Sequence, residues 1–140
     1  RMIIGYILAP TLEAKYTIEA LQQAISHAGS GNLCGTIHHS DRGVQYCCDE
    51  YITLLKEHHI RISMTEDSNP TDNGMAERVN GIIKNEFLEP LQTPKNLLEA
   101  MPIVDHAIRT YNTLRPHLSL NMRTPAQVYE ENNNFQKLKV

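Results

Sequence analysis

The sequence lacks features that would place it in a membrane or in a disulfide-rich class. No apolar run approaches the roughly eighteen residues that cross a bilayer, and the start "RMIIGYILAP" has no signal-peptide cleavage pattern. The three cysteines, two of them adjacent at Cys47 and Cys48, give neither an even disulfide framework nor a CxxC metal spacing. These absences predict a cytoplasmic protein with reduced thiols and no membrane partner.

A surplus of basic residues is missing as well. Thirteen Lys and Arg stand against sixteen Asp and Glu, which gives a formal net charge of -3 and a pI near 6.2. Tight DNA binding depends on clusters of Lys and Arg, so any nucleic-acid role requires a local basic patch or another domain. With 140 residues, of which 41% are hydrophobic, the chain is long enough to bury one core.

Strand-like and helix-like hydrophobic periods alternate along the chain, which predicts an α/β domain. We expect Thr17 or a neighbour to cap the first helix and Gly29 to end it. We expect Thr93 to cap a later helix with Pro94 at its first position and a kink at Pro102. The predicted order is strand 2–8, helix 17–27, strand 36–40, helix within 48–60, strand 60–64, loop 65–74, helix from 75, helix 93–111 and a short helix from about 125.

Two separated carboxylates are the candidate chemical groups. Asp41 follows a predicted strand, and functional groups of α/β sheets gather at the carboxyl ends of strands. On the helix from residue 75, Glu77, Asn80 and Lys84 lie at offsets 0, 3 and 7 and can share one face. Two convergent carboxylates suit a hard cation such as Mg²⁺ in phosphodiester chemistry. By themselves, however, Asp41 before Gly43 is also a turn former, and Glu77 also complements a helix dipole.

Three stretches resemble one known family. They are "HHSDRGVQY", "SMTEDSNPTDNGMAERVNGIIKNEF" and "YNTLRPHLSLNMRTPAQVY". Together they are similar to the catalytic core of bacterial insertion-sequence transposases, whose core resembles that of retroviral integrases. Thirty-five residues separate Asp41 from Glu77, which matches the spacing of that family's second and third catalytic acids. The resemblance covers nearly the whole chain, from about residue 2 to about residue 130.

The resemblance implies roles for particular residues. Asp41 and Glu77 correspond to catalytic acids that bind Mg²⁺ or Mn²⁺, and Asn73 and Gly74 match the turn before the Glu helix. Four residues are implied DNA contacts: Lys84, Asn80, Arg115 and His117. Other roles stay open for some of them, because Asn80 can also orient Glu77 or be solvated. The Arg-Pro-His element, which consists of Arg115, Pro116 and His117, can equally pack the last helix against the core.

The resemblance also implies a fold and a reaction. The expected fold is ribonuclease-H-like, a mixed five-stranded sheet flanked by helices, with residues 1–140 forming one partial core and about 113–140 its C-terminal extension. The expected reaction is metal-dependent DNA strand cleavage and strand transfer. Its partners are transposon ends and target DNA in the bacterial cytoplasm, and the protein is expected to form a homo-oligomer.

One departure from the family concerns its first catalytic Asp. That residue sits on a strand upstream of the one that "RMIIGYIL" resembles, and no residue here matches it. We therefore expect weak metal binding and little activity from this chain alone. Strands left without neighbours have open edges, so we also expect either self-association through residues 2–8 or neighbouring edges, or a rearrangement of that segment. The alternative function is a non-catalytic remnant that oligomerises and pairs with or inhibits an intact transposase.

A zinc site is the other metal hypothesis for this region. His38, His39 and Asp41 supply suitable ligand types. Neighbouring residues of a strand point to opposite faces of the sheet, so the two imidazoles are not expected to converge on one ion. The strand geometry therefore favours the two-carboxylate hypothesis.

Overall fold

Two groups of residues are distinguished in the structure. The sheet unit comprises Ile4–Asn80, and the helical unit comprises Arg1–Ile3 with Gly81–Val140. The structure is a computed structural model that describes residues 1–29, 31–65, 74–88 and 94–137, and side chains as far as residue 132.

The sheet unit contains two parallel strands joined through helices. Its elements are α1 Ala14–Ala28, β1 Ile37–Ser40, α2 Val44–Cys47, α3 Asp49–Glu57 and β2 Arg61–Met64. Ile37 pairs with Arg61 and Ser40 with Met64, so the carboxyl ends of β1 and β2 lie side by side. The predictions of helices at 17–27 and within 48–60, and of strands at 36–40 and 60–64, are confirmed, whereas the short helix α2 was not predicted. Helix α1 begins earlier than expected, after Glu13, so Thr17 lies inside it and does not cap it.

An apolar core lies between α1, α3 and the sheet. Leu21 of α1, Tyr51 and Leu55 of α3, and Ile60 just before β2 are all buried. Leu21, Tyr51 and Leu55 belong to the helix-spaced apolar positions that the sequence shows, and Leu55 is fully enclosed. The core therefore supports the strands whose carboxyl ends bear the candidate site.

The segment at residues 2–8 forms no strand in the described part of the chain, so that prediction was wrong. A strand requires a neighbour to complete its hydrogen-bond ladder, and β1 and β2 pair with each other instead. The Tyr6 amide donates to Gln23 Oε1 over 3.3 Å. A Cβ on Gly5 would lie 2.1 Å from the Ala20 carbonyl oxygen, so the segment lies directly against α1.

Helix α4 follows at Gly74–Ile82 and continues directly into a π-helix at Ile83–Leu88. The prediction of a helix from residue 75 is thereby confirmed. None of its described residues is buried, and Met75 is exposed.

The described elements of the helical unit pack around both polar and apolar side chains. It contains the π-helix, α5 Leu97–Thr113, a 3₁₀ turn Leu118–Leu120 and α6 Pro125–Lys137. Helix α5 contacts both the π-helix and α6. The buried residues here are Ala107, Ile108, Tyr111, Asn112, His117, Thr124 and Pro125.

Helix α5 begins later than the predicted 93–111. Its cap is Asn96, whose side chain accepts from the Glu99 amide over 3.0 Å, and Glu99 in turn accepts from the Lys95 amide over 2.9 Å. This reciprocal arrangement satisfies two amides, so the helix starts at Leu97 and Pro94 lies outside it. The predicted cap Thr93 lies outside the described residues, and Pro102 lies inside α5 as predicted.

Helix α6 begins where the sequence indicated. Thr124 and Gln127 exchange hydrogen bonds of 2.9 and 3.3 Å, and Pro125 takes the first helical position. Among the described residues, no helix combines the length and the apolar character that spanning a membrane requires. The three cysteines form no disulfide; Cys48 is half-buried, while Cys34 and Cys47 are exposed.

Candidate active site at the carboxyl end of the sheet

Asp41 stands directly after β1 and is exposed to solvent. Its Oδ1 accepts a hydrogen bond from the Gly43 amide over 2.9 Å, which turns the chain into α2. Its Oδ2 has no hydrogen-bond partner among the described residues. The carboxylate therefore forms the turn and still offers one oxygen to a ligand.

The backbone beside Asp41 is tied to the end of β2. The Thr65 amide donates to the Ser40 carbonyl over 3.2 Å, which extends the parallel pairing by one residue. The Arg42 side chain then crosses to β2, where its Nε donates to the Thr65 carbonyl over 2.8 Å. Ser40 and Thr65 are both buried, so this end of the sheet is enclosed beneath an exposed carboxylate.

The two histidines before Asp41 face different surroundings. His38 is half-buried, and its Nε2 lies 2.9 Å from the Tyr51 hydroxyl. Burial lowers the pKa of His38 and raises the pKa of Tyr51, so both groups are neutral near pH 7. His39 is exposed and its Nδ1 lies 2.9 Å from Ser63 Oγ. The zinc arrangement is not formed, because no cluster of three His, Cys, Asp or Glu occurs within the described ranges.

The second predicted acid lies in the first turn of α4. Glu77 and Asn80 are exposed, and neither makes a hydrogen bond or ion pair with another described residue. The predicted loop at 65–74 lies outside the described residues from 66 to 73, which includes Asn73. No hydrogen bond links Glu77 with Asp41 in the described part of the chain. Their predicted convergence on a metal therefore stays a prediction.

Lys84 lies just beyond the end of α4. The α-helical spacing that the prediction assumed ends at Ile82, because the π-helix begins at Ile83. A π-helix has more residues per turn, which changes the direction of each successive side chain. Lys84 is exposed and has no partner among the described residues, so its ammonium group is available to an anion.

The predicted DNA contact Arg115 is engaged by a carboxylate. Its Nε and Nη2 each donate to one oxygen of Glu86 over 2.6 Å, which is a bidentate pair. Hydrogen bonding by Arg115 lowers the pKa of Glu86. Sequence reasoning missed Glu86, because nothing in the pattern of a helix end marks a partner 29 residues away.

His117, the other residue of that element, packs in the interior of the helical unit. It is only 5% exposed, and its ring meets the Tyr111 ring edge-on at 4.9 Å between centroids. Burial, followed by the charge of Arg115, lowers the pKa of His117. The contacts of Arg115 and His117 are thus those of a packing element, which was one of the two roles left open by the sequence.

Comparisons with known proteins relate this α/β chain to integrase cores. The Integrase core domain family model matches residues 58–125. A protein of insertion element IS600 from Shigella sonnei is 32% identical over 130 residues, which cover 92% of this chain and 47% of that protein. The transposase of IS629 from the same organism is 35% identical over 86 residues, covering 61% of this chain and 28% of the relative.

Solved structures show the same relationship. The catalytic core of bovine immunodeficiency virus (BIV) integrase superposes with a TM-score of 0.67 at 20% identity, over 94% of this chain and 80% of that one. The HTLV-2 integrase catalytic core in complex with magnesium superposes with a TM-score of 0.62 at 28% identity. The match covers 84% of this chain and 69% of that one. The resemblance to insertion-sequence transposases and the ribonuclease-H-like fold are therefore confirmed. The described residues, however, form a two-stranded parallel sheet and not the expected mixed five-stranded one. The chain spans about a third to a half of the length of curated relatives.

Proposed function

We propose that this chain is part of a DNA transposase, a polynucleotidyl transferase that cleaves DNA strands and transfers transposon ends to target DNA. The observation that carries the proposal is Asp41, an exposed carboxylate at the carboxyl end of a parallel strand, one of whose oxygens has no partner among the described residues. Similarity to named transposases supports the assignment, since the motifs that resemble that family contain both Asp41 and Glu77.

The exposed carboxylates of this chain fit a divalent cation in their donor chemistry. Asp41 and Glu77 offer hard oxygen ligands, and we assign Mg²⁺ or Mn²⁺ to them. A magnesium complex among the similar structures supports this choice. Such ions, when bound, activate a hydroxyl for attack on a phosphodiester and stabilise the departing oxygen. Held at one oxygen by Gly43, Asp41 presents the other in a restricted direction.

DNA contacts are proposed for exposed polar residues of α4, which carries Glu77, and of the π-helix that continues it. Lys84 supplies a point charge for a phosphate, and Asn80 supplies hydrogen bonds or orients Glu77. For Arg115 and His117, the present partners Glu86 and Tyr111 favour a packing role, and their predicted contact with DNA remains a prediction.

Assembly on DNA is part of the same proposal. Similar structures are described as dimeric and trimeric forms and as an intasome. We infer that this protein also acts as a homo-oligomer on chromosomal DNA in the bacterial cytoplasm. Its net charge of -3 means that favourable contacts with phosphates are confined to local patches.

A strand-transfer assay tests the function. It uses the natural gene product that contains this chain, a labelled transposon end and Mg²⁺ or Mn²⁺. We expect Asp41→Asn and Glu77→Gln each to abolish product, because each removes a metal-binding carboxylate. Asp49→Asn is the matched control, since Asp49 is an exposed carboxylate in the first turn of α3. Undiminished product from Asp41→Asn, or none from the natural protein, would favour the non-catalytic alternative.

A further inference from the structure

We propose that Arg42 binds a DNA phosphate beside Asp41, with its guanidinium group held at the end of the sheet by the Thr65 carbonyl. This inference rests on the proposed function and extends it to Arg42, which is not among the metal ligands or DNA contacts proposed above.

Arg42 is anchored by a contact between the ends of β1 and β2. Its Nε donates to the Thr65 carbonyl over 2.8 Å, and Thr65 is itself buried and bonded through its amide to Ser40. A flexible side chain loses entropy when it binds a ligand, and an existing hydrogen bond reduces that loss. Arg42 is therefore partly ordered before any DNA arrives.

The remaining donors of Arg42 are unengaged. A guanidinium group has five N–H donors, and the Nε–H accounts for one of them. In the described ranges, Nη1 and Nη2 make no hydrogen bond and no carboxylate pairs with the group, although the residue is exposed. Arg115 differs, since both of its engaged nitrogens face the carboxylate of Glu86. With respect to the residues that the structure describes, Arg42 therefore has a pair of terminal nitrogens available to an external anion.

A cation beside Asp41 reduces the repulsion between this carboxylate and DNA phosphates. Asp41 is an exposed carboxylate, and it repels the phosphates on which the proposed reaction acts. The adjoining Arg42 offsets that repulsion, and the geometry of a guanidinium group matches two phosphate oxygens. Since the whole protein is acidic, a cation next to the carboxylate matters more than it would in a basic protein.

The test measures binding of the 140-residue chain to a fluorescein-labelled DNA duplex by anisotropy over a salt series. For Arg42→Gln we expect affinity to fall about tenfold at about 0.1 M salt, and the slope of log K against log salt to become shallower by about one. Arg61→Gln is the matched control, because Arg61 is an exposed arginine at the opposite end of the same sheet. It should leave the slope unchanged.

Arg42→Lys separates charge from folding. Lysine keeps the charge but lacks the fork of donors, so the salt slope should be retained while part of the affinity is lost. Circular dichroism and the Thr65 amide signal in NMR spectra report whether each variant keeps the sheet end intact. Should Arg42→Gln unfold, Arg42→Lys alone tests the inference, and an affinity for DNA equal to that of the unaltered chain in this variant would overturn it.

The outcomes distinguish the two claims. If the unaltered chain binds DNA and Arg42→Gln behaves like Arg61→Gln, the inference on Arg42 is wrong and the proposed function survives. If the unaltered chain shows no salt-dependent binding to DNA at all, the proposed function loses its support and the inference fails with it.

Discussion

Different kinds of contact stabilise the sheet unit and the helical unit, each within itself. In the sheet unit, Leu21, Tyr51, Leu55 and Ile60 form an apolar cluster beneath the strands. The helical unit buries Ala107, Ile108 and Tyr111 together with several polar residues, namely Asn112, His117 and Thr124. A close-packed apolar core is sensitive to any change in side-chain volume. The strength of a polar contact depends instead on its particular partner and, where a group titrates, on pH.

Polar anchoring in the helical unit has two clear instances. Asn112 exchanges hydrogen bonds of 2.9 and 2.8 Å with the backbone of Ile3, and Arg115 binds Glu86 through two contacts. In the sheet unit the carboxylate of Asp41 stands directly after a strand supported by the apolar cluster. The comparison indicates that Asp41 follows a strand in the unit with the apolar cluster, while Arg115 in the helical unit is held by an ion pair.

The largest effect is expected from breaking the apolar cluster. Leu55 is 0% exposed, so Leu55→Ala should lower the free energy of unfolding by about 2–5 kcal/mol through lost burial and an unfilled cavity. Leu114 is 71% exposed, and Leu114→Ala should change it by no more than about 0.5 kcal/mol. Urea denaturation of both variants measures the difference. Equal losses would mean that the apolar cluster is not what stabilises the sheet unit.

A smaller effect, which depends on pH, is expected from Glu86→Gln. Arg115 lowers the pKa of Glu86 in the folded protein, so the ionised carboxylate stabilises the fold above its unfolded pKa and loses this contribution as pH falls through its folded pKa. Because both side chains are partly exposed, the stabilisation at pH 7 should be at most about 1 kcal/mol. Unfolding measured against pH should show the wild-type advantage shrinking as the solution is acidified.

Two controls sharpen the Glu86 measurement. Glu19→Gln removes an exposed carboxylate of α1 that has no ion pair in the described part of the chain, and should lack the acid-dependent loss. Repeating Glu86→Gln in an Arg115→Gln background should remove most of its effect, because the partner is then absent. A full effect without Arg115 would show that the pair is not the source of the stabilisation.

The sequence predicted elements whose contacts are local. Apolar spacing placed α1, α3, α4 and α6, and the short β-rich runs placed β1 and β2. It also contains the signal for the start of α5, because Asn96 and Glu99 have the spacing of a capping box. Thr93 and Pro94 form a second helix-start signal three residues earlier, and the prediction that rested on it was wrong.

Other features depend on contacts between distant residues, which local patterns do not encode. Residues 2–8 have strand composition, yet the structure gives them Asn112 and α1 as neighbours in place of a strand. The pairs Arg42 with Thr65 and Glu86 with Arg115 join residues 23 and 29 positions apart. Asp41 and Glu77 were singled out because their motifs resemble a family, and their residue types alone would also have fitted a turn and a helix start.

The central claim is that Asp41 and Glu77 bind one metal site, and paramagnetic broadening by Mn²⁺ tests it most directly. Mn²⁺ is titrated into the isotope-labelled chain, with Asp41→Asn as the test variant and Asp49→Asn as the control. We predict that the amide signals at Asp41 and Glu77 broaden together, that Mg²⁺ competes, and that Asp41→Asn removes the effect at both positions. Broadening at only one of the two carboxylates, or equal broadening in Asp41→Asn, would contradict the claim.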